Sequence, residues 1–123
     1  MMSVHWSGVT IDCSDPRRLG NFWSVLLSRE PSESLPGWVR LGTHDDVLPV
    51  ICFQPVPEPK RGKTRIHLDV TVDDIEKAAA TVIQLGGRSM DERHDYDEGI
   101  VMVMADPEGN EFCLVQYFST TAR

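Results

Sequence analysis

The feature that most restricts this chain is an order of elements that occurs twice. Gly8–Cys13 reads Gly-Val-Thr-Ile-Asp-Cys, with Val9, Ile11 and Cys13 alternating against Thr10 and Asp12. A period of two marks a strand with one apolar face. Asp15 is placed to cap a helix and Pro16 to open it. Leu19, Phe22, Trp23, Leu26 and Leu27 then recur at helical spacing. Pro31 and Pro36-Gly37 break the chain, and strands are expected over 38–41 and 48–56. The second half replays this. Residues 65–72 set Ile66, Leu68, Val70 and Val72 against Arg65, His67, Asp69 and Thr71. Asp73 and Glu76 make a capping-box-like start. Ile75, Ala78, Ala79, Val82 and Ile83 form an apolar stripe that Gly86-Gly87 ends. A weak strand follows over 88–93 and a strong one over 100–105. The turn Asp106-Pro107-Glu108-Gly109-Asn110 leads into a closing strand, Glu111–Tyr117.

Each half is therefore strand, helix, then two or three strands, with helices expected at about 15–28 and 73–86. One such unit cannot bury both faces of its sheet. The predicted fold class is α+β, paired βαβββ modules forming a curved mixed sheet around a cavity, with helices outside. A single domain is expected over 1–123, with module one at about 4–56, a linker at about 57–63 and module two at about 64–118. At 123 residues, such a domain needs no disulfide or structural metal to fold.

Charge and cysteine usage exclude several classes. The net charge is −7, and the only basic cluster is Lys60-Arg61-Gly62-Lys63. That balance argues against nucleic acid or an anionic membrane as partner. No apolar run approaches the ~18 residues of a membrane span. The first residues lack the basic start and apolar stretch of a signal peptide, so a cytoplasmic location is expected. Cys13, Cys52 and Cys113 are too dispersed for a disulfide framework or a zinc knuckle. They read as small buried hydrophobes.

Three segments carry a resemblance: 9–16 leading into Phe22-Trp23, then Arg65-Ile66-His67-Leu68-Asp69-Val70, then Asp106-Pro107-Glu108-Gly109-Asn110-Glu111-Phe112. Together they resemble the vicinal oxygen chelate superfamily, and within it the glyoxalase-like domains of the glyoxalase/bleomycin-resistance/dioxygenase proteins. The resemblance covers nearly the whole chain. It implies the paired βαβββ fold and a small-molecule site. It also implies that metal-dependent members draw ligands from the first and last strand of each module. Carried over here, those positions hold His67 in module two and Gly8 or Val9 in module one. The last strands offer Cys113, where a Glu is expected, and Gln54. His67 is the one secure metal candidate. The set is not the usual His/Gln/Glu arrangement, so no cofactor is assigned, with a divalent metal as the alternative.

Read from the residues themselves, His67 lies on the polar side of its strand between Arg65 and Asp69, and Asp12 has the polar parity of strand one. Arg65 and Asp69 form either an ion pair or, through Arg65, an anion site. His67 either binds a ligand or acts as general base oriented by Asp69 or Asp12. Trp38 is a stacking wall or core. Met102 and Met104 belong to a strand apolar on both faces, and Met104 is taken to line the site. The candidate ligand-binding set is Asp12, Trp38, Gln54, Arg65, His67, Asp69, Met104 and Cys113. His67 is the catalytic residue if the chain is an enzyme.

Two function classes follow. One is a metal-independent binding protein for a hydrophobic or aromatic small molecule, of the kind that sequesters antibiotics. The other is a divergent metal-dependent lyase, isomerase or dioxygenase, with a rearranged set such as Asp12, His67 and Asp69. In either case a homodimer is expected, because exposed sheet edges are a liability.

Overall fold

The chain runs β1 (Gly8–Cys13), α1 (Pro16–Leu27), β2 (Pro31–Glu33), β3 (Val39–Leu41) and β4 (Val50–Pro55). It continues β5 (Asp69–Thr71), α2 (Ile75–Gln84), β6 (Arg88–Asp95), β7 (Gly99–Ala105) and β8 (Glu111–Tyr117). A computed structural model describes residues 2–118. Residue 1 and residues 119–123, the ends of the span expected to form one domain, lie outside the described residues. The chain divides between Pro59 and Lys60 into two units, inside the segment expected as a linker. Each unit is a βαβββ module with a four-stranded mixed sheet, ordered β1-β4-β3-β2 in the first and β5-β8-β7-β6 in the second. In each, the first and last strands of the module pair in parallel.

In the first unit, the Asp15 carboxylate caps α1 by accepting the Arg18 N–H at 3.2 Å, and Pro16 opens the helix. The helix buries Leu19, Phe22 and Trp23, whose two rings meet edge-on with centroids 5.3 Å apart. It lies close on the sheet. A Cβ at Gly20 would come within 2.7 Å of Val39 Cγ1. Val39 and Phe53 therefore face the helix, and register carries Leu41, Ile51 and Ile11 to the same side. Thr10, Asp12, Arg40, Cys52 and Gln54 are left on the far face, opposite α1. The short strand β2 falls where Pro31 was expected to break the chain. Its three residues are exposed and lie at the sheet edge, where a proline's missing N–H costs nothing.

In the second unit, the cap of α2 is Asp74, which accepts the Lys77 N–H at 3.1 Å, rather than the expected Asp73. The one-residue shift seats Ile75 on the sheet, where its N–H donates to Gln116 Oε1 at 2.8 Å. Ile75, Ala79 and Val82 are buried, whereas Ile83 is 54% exposed, so the stripe is narrower than expected. Because Gln116 reaches α2, its alternate neighbours Leu114 and Phe112 face the helix as well. Register places Met102 and Met104 beside them.

The Asp106–Asn110 turn is built on a buried carboxylate. Asp106 Oδ1 accepts the Glu108 and Asn110 N–H groups, each at 3.0 Å. Gly109 provides the positive φ of +85° that closes it. Strand β6 runs past its expected end to Asp95, with a register irregularity between Ser89 and Glu92. Strand β5 is shorter than expected, covering 69–71 instead of 65–72. Arg65 and His67 precede it, and Ile66, on the apolar side of the alternation, is 79% exposed. The Leu68 carbonyl accepts from the Cys113 N–H at 2.9 Å, which is where the described pairing begins.

Candidate functional site

The far face of each sheet holds most of the polar side chains singled out in the sequence. In the first unit, Asp12 stands opposite Gln54 in the β1–β4 register, and Arg40 stands opposite Cys52. Trp38 directly precedes β3 at Arg40's parity, so alternation sets it on this face, half-buried. Asp12 is exposed and Gln54 half-buried. Arg40 was not among the residues singled out from sequence, although Trp38-Val39-Arg40-Leu41 carries its signal: a charge placed between two apolar positions. Its Nε is buried and has no hydrogen-bond partner among the described residues.

In the second unit, Glu92, Val103, Cys113 and Asp69 stand in one row across the four strands. Val101 and Val115 follow in the next row, with His94 and Thr71 at its ends. The middle of this face is aliphatic and its margins are charged. Burial pushes the Cys113 thiol up from its ordinary pKa, and the nearby Asp69 and Glu92 carboxylates push it further. The protonated thiol is the favoured form, which makes Cys113 a poor nucleophile. His94 Nε2 lies 2.7 Å from Glu92 Oε2, a contact that lowers the Glu92 pKa.

His67 and Arg65 do not project from mid-strand as expected. Both are exposed in the segment ahead of β5, and no ion pair joins Arg65 to Asp69 among the described residues. Met104 is fully buried on the helix face beside Phe112, where it packs the core instead of lining a site. Glu111, the first residue of β8, is bound on both sides. Its carboxylate accepts the Thr64 N–H at 3.0 Å and lies 3.3 Å from Lys60 Nζ. Hydrogen bonding from Thr64, with the Lys60 ammonium adding to it, outweighs desolvation and lowers its pKa to about 2.

The donor set can be tested against the metal that the resemblance implies. Among the described residues, no three His, Cys, Asp or Glu side chains are grouped to hold an ion. Gly8 offers no side chain, and a Cβ there would stand 2.4 Å from the Val50 carbonyl oxygen. Neighbouring backbone thus occupies the place a side chain at position 8 would need. Of the four positions that the resemblance names, His67, Gln54 and Cys113 carry donor atoms and Gly8 carries none, which departs from the usual His/Gln/Glu set.

Two four-stranded sheets, each a βαβββ module with one helix-covered face, define the paired-module α+β class. The sequence matches the family described as the glyoxalase-like domain over residues 8–115, and the chain belongs to that family. Solved structures agree on the fold. A glyoxalase/bleomycin resistance protein/dioxygenase family enzyme from Burkholderia phytofirmans is 19% identical, with a TM-score of 0.75 over 91% of this chain and 98% of that one. A genomically encoded fosfomycin resistance protein from Listeria monocytogenes, in complex with Mn(II) and sulfate, is 17% identical, with a TM-score of 0.76 over 95% and 93%. A fosfomycin resistance protein from Mesorhizobium loti is 16% identical, with a TM-score of 0.70 over 98% and 96%. No curated protein matches the chain. No helix among the described residues is long and apolar enough to cross a membrane.

Proposed function

We propose that this glyoxalase-like protein binds a small molecule with aromatic or apolar surface, without a metal, and works as a homodimer. The observation that carries the reading is the donor set. Position 8 on the first strand of module one has no room for a ligating side chain, because the Val50 carbonyl oxygen lies 2.4 Å from where a Gly8 Cβ would be. The last strand of module two presents a half-buried thiol, Cys113, where the resemblance implies a carboxylate. Around that thiol lie Val101, Val103 and Val115, a surface suited to apolar contact. The Mn(II) in the Listeria protein belongs to that protein. Here one of the positions that would hold such an ion is Gly8, and another offers the Cys113 thiol in place of a carboxylate.

The test is metal analysis of protein purified without chelator or histidine tag, together with equilibrium binding of aromatic compounds followed by tryptophan fluorescence. Saturable binding with metal well below one equivalent is expected. One equivalent of Mn, Fe, Ni or Zn that disappears in His67→Ala would overturn the reading. The chain would then be a metal-dependent lyase, isomerase or dioxygenase.

A further inference from the structure

We infer that Arg40 anchors the carboxylate of an aromatic monoacid on the far face of the first sheet, an assignment that rests on the small-molecule reading above and narrows it. Arg40 lies on β3, an interior strand, between Ser32 on β2 and Cys52 on β4. Its Nε is buried without a hydrogen-bond partner, and its guanidinium joins no ion pair among the described residues. A buried donor of a charged group is among the costliest to leave unmet, and native chains rarely do so without a partner from outside. An arginine Nε and its neighbouring Nη form a planar fork that matches the two oxygens of a carboxylate. A neutral acceptor would satisfy the N–H and leave the charge uncompensated.

Neighbouring residues set the rest of the ligand. Trp38 stands two residues away on the same face, about 7 Å along the strand, which is near the span of a ring bearing a carboxylate. A ring stacked on the indole therefore reaches the guanidinium with its acid group. Gln54 is half-buried at this end of the face and directly opposite Asp12. The Asp12 carboxylate makes that end unfavourable for a second negative charge. The ligand chemistry is thus one acid group at the Arg40 end and an uncharged ring at the Trp38 end.

The full chain is titrated with benzoate, terephthalate, benzyl alcohol and benzylamine, followed by calorimetry. Benzoate is expected to bind, and terephthalate to bind about tenfold more weakly or not at all. Arg40→Met is expected to weaken benzoate by about tenfold or more, with Arg40→Lys recovering only part of it. Because Arg40→Met removes a buried N–H that has no partner, its melting temperature should equal or exceed that of the parent. Three results overturn the assignment: benzoate binding unchanged in Arg40→Met, terephthalate binding as tightly as benzoate, or Arg40→Met melting several degrees lower. If benzyl alcohol or benzylamine binds and benzoate does not, the assignment fails while the small-molecule reading stands. If none of the four binds, both fail.

Discussion

Glu111 opens β8 with its side chain only 12% exposed, and it holds the segment ahead of β5 through Thr64 and Lys60. Its folded pKa of about 2 lies below the ordinary 4.5, so the folded state binds its proton less readily than the unfolded one. The stabilisation is therefore complete above 4.5 and is lost as pH falls through that window towards 2. After allowing for solvent screening, it amounts to about 1–2 kcal/mol. Glu111→Gln should lower stability by that amount at pH 7 in urea unfolding, and the gap between variant and parent should close near the acid end of the window. A gap that stays constant with pH would show that packing, not charge, is what the carboxylate contributes. The sequence indicated the polarity and parity of Glu111 but not its partners, because the lysine and threonine it binds come from an irregular segment with no periodicity to read. The same holds for Arg40. Alternation sets its face, while the absence of an acceptor around Nε is visible only in three dimensions.

At the scale of elements, what could be read was whatever pairs along its whole length. Strands β7 and β8 match residue for residue from Gly99–Tyr117 to Ala105–Glu111, and their apolar patterns announced them. Strand β5 shows the limit. Residues 65–72 alternate without a fault, but β8 begins only at Glu111, and Asp69 already pairs with Cys113. Hardly any partner remains for the residues before Asp69, and the Glu111 side chain draws Thr64 aside instead. A pattern of two is necessary for a strand and insufficient without a ladder. That is why His67, the leading site candidate, lies outside the sheet. Strand β2 failed in the opposite sense, since Pro-Ser-Glu carries no apolar signal and pairs only because β3 offers its edge. The β1–β4 pair yields a prediction of its own. Gly8→Ala drives a Cβ to 2.4 Å from the Val50 carbonyl oxygen, which backbone must move to relieve. A loss of about 1–3 kcal/mol is expected in urea unfolding. A variant as stable as the parent would mean that β1 shifts freely at its start, reopening a ligand position there.

For the whole molecule, the question is which strand edges need a partner. Strand β6 protects its edge with Arg88, Asp91, Glu92, Arg93 and Asp95, and β2 is short and begins with proline. Strand β1 has neither defence. It is six residues long, lies at the edge of its sheet order and carries one charge, Asp12. Two apolar residues in the segment leading into it are exposed, Val4 at 79% and Trp6 at 69%. The indole is held beside the strand by its Nε1–H, which donates to the Gly8 carbonyl at 2.9 Å. Exposed aromatic surface fixed next to a plain strand end is the kind of surface that pairs subunits. Light scattering of the purified chain at micromolar concentration should therefore give twice the 13.8 kDa chain mass. Val4→Asp combined with Trp6→Ser should shift that mass to the monomer while leaving the far-ultraviolet circular dichroism unchanged, since neither side chain belongs to the buried core. A parent mass of 13.8 kDa would remove the homodimer. A dimer that survives both substitutions would place the contact away from β1.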